Sequence, residues 1–207
     1  MKGVPMELND FPLVRMKSGR LAYGGDQEWF GRWRQRLAGC APVSGANLAA
    51  YYELGIRPDG GMSDGRRVYT FDSFLDKMNV LWGYMTPGFN GFPYMWKYIE
   101  KFRQFAADNG AQAESSNFNG WHSPGEAVSF VRGALEEGNP AVMLVLSHKA
   151  PEMKENTWHW MTVTGLDDER NRVIISNYGS RETYDADRLF EVDPHNDVNL
   201  TYFRIKR

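Results

Sequence analysis

Up to Gly138 the apolar positions recur at the three- and four-residue steps of a helix; beyond it they run unbroken or alternate. From Cys40 to Leu54 (CAPVSGANLAAYYEL) the pattern predicts a helix. Pro42 suits its first turn, Leu48, Ala49, Tyr51 and Tyr52 supply apolar positions, and Gly55 closes it. Gly45 inside that segment costs roughly 1 kcal/mol against Ala, a cost that makes sense where another backbone passes closely. Pro58 to Gly65 reads as a loop. A second helix is expected from Phe71 to about Tyr84, with Phe71, Phe74, Leu75, Met78, Leu81 and Trp82 on one side. A third covers about Tyr94 to Asn109 and stops at Asn109-Gly110. A fourth carries the clearest start signal: Ser123-Pro124-Gly125-Glu126 offers a Ser cap, Pro at the first helical position and Glu at capping-box spacing. It ends at Gly138.

Pro140 to Ser147 (PAVMLVLS) is a short continuous apolar run, the mark of a buried strand. Trp158 to Gly165 (WHWMTVTG) is rich in aromatic and β-branched residues. After the polar turn Asp167 to Asn171, Arg172 to Gly179 (RVIISNYG) returns beside it, and Asn199 to Lys206 (NLTYFRIK) alternates as a last strand. Helices first and an antiparallel sheet second imply an α+β domain.

A chain of 207 residues without repeats or a long linker fits one domain, spanning 1–207. It reads as an N-terminal arm (1–22), a mainly helical part (23–138) and an antiparallel sheet part (139–207). Aromatics make up 14% of the residues, seven of them Trp, enough for a sizeable core without disulfides or metal. The formal charge of −2 gives no electrostatic footprint for nucleic acid or an anionic membrane, and no apolar run approaches the roughly 18 residues of a membrane-spanning helix. The N-terminal stretch lacks the apolar segment and cleavage site of a signal peptide, so cytoplasm is the expected location. Cys40 is the single cysteine, which leaves no intramolecular disulfide and no zinc-type spacing. No cofactor or metal is expected.

Cys40 opens a predicted helix in Ala38-Gly39-Cys40-Ala41-Pro42. There the positive end of the helix dipole and free N–H groups are expected to lower the thiol pKa and to hold an oxyanion, with Gly39 admitting a substrate backbone. Against this stands the ordinary behaviour of a free cysteine as a small buried hydrophobe. His159, between Trp158 and Trp160 at a strand start, has the chemistry to take a thiol proton; its structural alternative is a hydrogen-bonded residue in an aromatic cluster. If the two late strands form a hairpin, Asn177 returns to the end that carries His159, where its amide oxygen can fix the imidazole. His122, before a helix cap, His148, at a strand end, and His195, in a polar turn, read as solvated surface residues.

Four blocks carry a resemblance: Gly24-Gly25-Asp26-Gln27-Glu28-Trp29-Phe30; Gly39-Cys40-Ala41-Pro42; Trp158 to Asp167; and Ile174-Ile175-Ser176-Asn177-Tyr178-Gly179. Together they resemble the papain-like cysteine peptidase superfamily, in particular the bacteriocin-processing (double-glycine) peptidase-like domains of bacteria. The resemblance implies a papain-like fold, with the nucleophile helix packed on a C-terminal antiparallel sheet. It implies Cys40 as nucleophile, His159 as base, Asn177 as orienting residue and an upstream Gln in the oxyanion hole. Gln35 lies near the family's usual spacing from Cys40; Gln27, further upstream, sits in the more family-like context and is preferred. Ala41 stands where the family usually has Gly, which narrows the approach to the thiol. The implied function is hydrolysis of a peptide or isopeptide-like amide. Acyl transfer by the same dyad and non-catalytic peptide binding are the alternatives. Trp82, Tyr84, Phe89, Phe92, Tyr94 and Trp96 can line a groove or the core, and Gly83 to Pro93 is the expected flexible loop beside a cleft. The oligomeric state stays open.

Overall fold

A computed structural model describes residues 5–207. The chain begins with three short strands, β1 (Met6–Glu7), β2 (Leu13–Arg15) and β3 (Leu21–Tyr23). Helices α1 (Trp33–Ala38) and α2 (Cys40–Tyr51) follow, then strands β4 (Met62–Ser63) and β5 (Arg66–Thr70). Helices α3 (Phe71–Tyr84) and α4 (Met95–Asp108) lead to β6 (Gln112–Phe118) and α5 (Pro124–Glu136). The remainder is β7 (Ala141–Ser147), β8 (His159–Asp167), β9 (Arg172–Asn177), β10 (Ser180–Asp185), α6 (Ala186–Leu189) and β11 (Asp197–Lys206).

The larger sheet runs β10-β9-β8-β7-β11-β6, with β1 paired to β8 and every pairing antiparallel. A smaller sheet, β3-β2-β5-β4, closes one side. Alternation along β7 explains why its sequence is apolar from Ala141 to Leu146. Val142 and Leu144 pack with α2, α3 and α4, whereas Ala141, Met143 and Val145 pack with Ala127, Val131 and Ala134 of α5. A sheet covered on both faces needs no polar side. Helix α2 is buried from Ala41 to Ala50 and has no solvent face, so its small residues let α3 and the sheet approach from opposite sides. The fold is α+β.

Several expectations need correcting. The segment 1–22 is not an arm: β1 extends the large sheet, and β2 lies between β3 and β5, with residues 1–4 outside the described range. Nor do a helical part and a sheet part divide at 138, because β6 is an edge strand of the large sheet, fully paired with β11. Its polar sequence, half exposed, hid it from any apolar pattern. The expected loop at 58–65 contains β4. The first helix ends at Tyr51 rather than Leu54. At Gly45 the close neighbours are side chains of Leu81 and Met85, not another backbone. Ser123 makes no side-chain cap; instead Glu126 reaches back to the His122 N–H at 2.6 Å.

Lys77 of α3 is 1% exposed, and its ammonium donates to the Leu54 carbonyl at 2.6 Å beyond the end of α2. Desolvation pushes its pKa down to about 7 from the ordinary 10.5. Across that interval the unfolded chain holds a proton that the folded chain has lost, so this group adds stability as pH rises and removes it as pH falls. Denaturant unfolding between about pH 7 and pH 9.5 should therefore show a positive stability slope from this group. Lys77→Met should lose that contribution, and identical slopes in the two proteins would refute it.

Candidate active site

Cys40 is the first residue of α2, reached through a one-residue break at Gly39 after α1. Gly39 is demanded by the protein's own packing. A Cβ there would lie 2.3 Å from the Gln35 carbonyl and 2.6 Å from the Phe30 ring, so the glycine lets α1 turn into α2. The backbone N–H groups of Trp160, Ala41 and Cys40 draw the thiol pKa down, but burial outweighs them and pushes it up. The expected lowering of the thiol pKa by the helix start is thus opposed by burial, which favours the protonated sulfur.

His159 opens β8 opposite Val145 of β7, and Asn177 ends β9, the next strand of the hairpin. The predicted return is observed: His159 Nε2 donates to Asn177 Oδ1 at 2.8 Å, both residues being buried. A proton on Nε2 leaves Nδ1 of the neutral ring as its basic atom. Burial pushes the His159 pKa below its usual value, opposed by the Asn177 hydrogen bond and the Glu182 charge. Each shift favours the uncharged form of its own group.

Tyr178 and Gly179 both have positive φ (45° and 67°), as a two-residue type I′ hairpin turn requires. That turn lays the Tyr178 ring parallel on the His159 ring, 4.8 Å between centroids and 13° between planes. Trp158, immediately before His159, also has positive φ (57°), a conformation costing about 1–3 kcal/mol in a bulky residue. Neither backbone feature was read from the sequence, although Asn-Tyr-Gly between two strands is a usable turn signal.

Gln27 lies in a short 3₁₀ turn (Gln27–Trp29) capped by Asp26. It lines one small cavity of about 10 Å³ together with Cys40, His159, Asn177 and Tyr178. Among the described residues its buried Oε1 has no hydrogen-bond partner. Turning the amide by 180° would present Nε2 at that point, a donor without an acceptor. Gln35 is elsewhere: it is buried on α1, and its Nε2 donates to Asn79 Oδ1 of α3 at 3.1 Å. The oxyanion alternative at Gln35 is thereby corrected, and its task is to join two helices.

Asn47, which the sequence reading passed over, ties these parts together. Its Oδ1 accepts from Gly25 N at 2.8 Å, and its Nδ2 donates to Thr162 Oγ1 and Ser176 Oγ, each at 3.3 Å. Gly24 (φ 74°) is needed at this junction, since a Cβ would meet Ser176 Oγ at 2.5 Å and Asn47 Oδ1 at 2.7 Å.

Cys40 also lines a groove of about 560 Å³ with Trp33, Leu37, Phe89, Trp158 and Trp160. The segment 88–93 forms its rim, but this loop is tethered: Phe92 is buried, its carbonyl accepts from Trp160 Nε1 at 2.8 Å, and Gly88 pairs with Gly91. Phe89, Tyr94 and Trp96 are exposed, while Trp82 and Tyr84 pack against the core. Among the other histidines, His122 and His195 are exposed, His195 bonding Asp193 at 2.8 Å. His148 is only half-exposed, with both ring nitrogens engaged by backbone groups. Among the described residues no cluster of three or more His, Cys, Asp or Glu is placed to hold a metal ion, and no helix is long and apolar enough to cross a membrane.

No protein-family model matches the chain, and no curated protein matches it.

The raised thiol pKa sets an expectation for Cys40 reactivity. Its rate of alkylation by iodoacetamide should rise with a midpoint above the ordinary thiol value of about 8.5. The denatured chain should titrate at that ordinary value. A folded-state midpoint well below it would show that the sulfur is a thiolate after all.

Proposed function

We propose that the chain is a cysteine hydrolase of the papain-like type, acting on peptide or isopeptide-like amides. One observation carries this reading: a single cavity is lined by a thiol at a helix start, an imidazole oriented by an amide oxygen, and a Gln amide with an unsatisfied polar atom. The order along the chain, Cys40, His159, Asn177, agrees with the resemblance of the four sequence blocks. The sheet packed under the nucleophile helix agrees with the expected architecture.

Because burial favours the uncharged form of both groups, Nδ1 of His159 takes the thiol proton as Sγ bonds to the carbonyl carbon, in one general-base step. The carbonyl oxygen becomes an oxyanion, stabilised by the Cys40 N–H and the Gln27 amide. Collapse breaks the C–N bond, and the imidazolium returns its proton to the leaving amine. Water, deprotonated by the same imidazole, then attacks the thioester carbon; the C–S bond breaks, the acid leaves and the imidazolium returns its proton to the sulfur. The apolar groove supports a substrate with apolar side chains near the scissile amide. The same groove favours a second reading, a peptide-binding domain that does not cut, because Trp33, Leu37, Phe89 and Trp158 are 69%, 71%, 104% and 61% exposed around it.

Cleavage of a quenched-fluorescent peptide library separates the two. Cys40→Ala should abolish turnover, and Gln27→Ala should lower kcat by about 10²–10³, the usual effect of losing one oxyanion donor. Gln35→Ala should stay within about twofold of the parent, since it touches none of the reacting groups. The acid limb of kcat/KM should fall below about pH 6.5, because burial keeps His159 neutral to lower pH than a free imidazole. Binding without turnover in the parent protein, unchanged in Cys40→Ala, would establish the non-catalytic reading.

A further inference from the structure

The Asn177 side chain supports the Nε2–H form of His159 only while its oxygen faces the ring. An amide is nearly symmetric in shape, and turned by 180° it would present a donor to Nε2 and drive the imidazole proton to Nδ1. Something behind Asn177 must therefore fix its direction.

Three side chains close a ring with it. Asn177 Nδ2 donates to Glu182 Oε2 at 3.1 Å and to Asn156 Oδ1 at 3.2 Å. Asn156 Nδ2 donates to Tyr184 Oη at 2.9 Å, and Tyr184 Oη donates to Glu182 Oε2 at 2.6 Å. Glu182 and Tyr184 stand two apart on β10, which pairs with β9; Asn156 ends the turn before β8. Two amides and a phenol can each run a hydrogen bond in either direction, so the ring has two self-consistent senses. The ionised carboxylate alone can only accept. With Glu182 charged, Tyr184 must donate to it and so accepts from Asn156. Asn156 then turns its oxygen to Asn177, and Asn177 turns its oxygen to His159. Among the described residues Glu182 makes no ion pair, so this half-buried carboxylate is held by neutral donors. A group placed that way has no direct ion pair to explain it; its charge interacts with His159, whose protonated form it favours.

We propose that Glu182 is a positioning residue whose carboxylate, acting through Asn177, sets the Nε2–H tautomer of His159 and leaves Nδ1 free to accept the Cys40 proton. The consequence for Cys40 rests on the hydrolase reading above; the tautomer itself does not. Glu182→Gln replaces the acceptor with a group of the same shape that can donate, which makes both senses of the ring available. Tyr184→Phe opens the ring but keeps the direct Glu182–Asn177 bond, and so keeps the direction.

The test is long-range ¹H–¹⁵N correlation NMR of His159 at about pH 8, where the ring is neutral, read beside peptide cleavage. The parent protein and Tyr184→Phe should carry the proton on Nε2. In Glu182→Gln it should move wholly or partly to Nδ1, with kcat reduced by about tenfold or more and KM within about twofold. A pure Nε2–H ring in Glu182→Gln overturns the proposal, as does an Nδ1–H ring in the parent or a Tyr184→Phe ring that shifts like Glu182→Gln. If the tautomer moves as expected while the parent cleaves no peptide, the positioning role stands and the hydrolase reading falls.

Discussion

Asn47 sits on a helix whose surroundings are almost wholly apolar, and its amide is the point at which four separate stretches of chain meet. Its oxygen holds the Gly24-Gly25 segment that leads to Gln27, and its nitrogen reaches Thr162 on β8 and Ser176 on β9. Ser44, one turn earlier on α2, lies 3.4 Å from Thr162 Oγ1 and accepts from the Tyr98 hydroxyl at 3.3 Å. Ser176 Oγ in turn donates to the Tyr23 carbonyl at 2.8 Å. A buried polar group left without its partner costs about 1–3 kcal/mol. Sliding α2 against the sheet would break several of these bonds together, whereas apolar packing alone would tolerate a small shift. The constraint matters because Cys40, His159, Asn177 and Gln27 come from the four segments that this network joins.

The same burial that makes the network rigid decides the electrostatics beside it. A helix start favours a thiolate, yet the surroundings of Cys40 are apolar enough to raise the thiol, and those of His159 lower the imidazole. Two shifts of opposite sense both favour the uncharged pair. The Tyr178 ring, laid on the imidazole by the hairpin turn, adds to that desolvation on one face. On the hydrolase reading proposed above, charge separation would come only with the attack on a carbonyl, the oxyanion being met by the Cys40 N–H and a Gln27 amide turned to donate.

The readable parts of the sequence were those whose signal is local. The Phe71–Tyr84 helix has the observed bounds because its apolar stripe acts within a few residues. The return of Asn177 to His159 followed from two β-rich runs joined by a short polar turn, a geometry that hydrogen-bond register enforces. Polar β6 and β10 were not readable, because their place comes from pairing with β11 and β9. Residue type did not separate Gln35 from Gln27. Only packing shows that the first faces Asn79 and that the second reaches the cavity. Gly39 and Gly45 were legible as glycines, but not the neighbours that demand them.

Trp160 links the groove to the chemistry. Its indole stacks on Tyr98 at 4.5 Å and 17°, placing it in the main core. Its Nε1–H holds the Phe92 carbonyl, and so fixes the rim of the groove, while its backbone N–H acts on the Cys40 sulfur. Trp158 and His159 precede it directly, one exposed on the groove wall and one buried in the cavity. Alternation along a strand would put residues 158 and 160 on one face and 159 on the other. Trp158 and Trp160 both line the groove and His159 lines the cavity, so that alternation already holds at the strand entry, where Trp158 has positive φ. Alternation alone therefore lets a single three-residue stretch supply the groove wall, the buried imidazole and the anchor of the opposite rim.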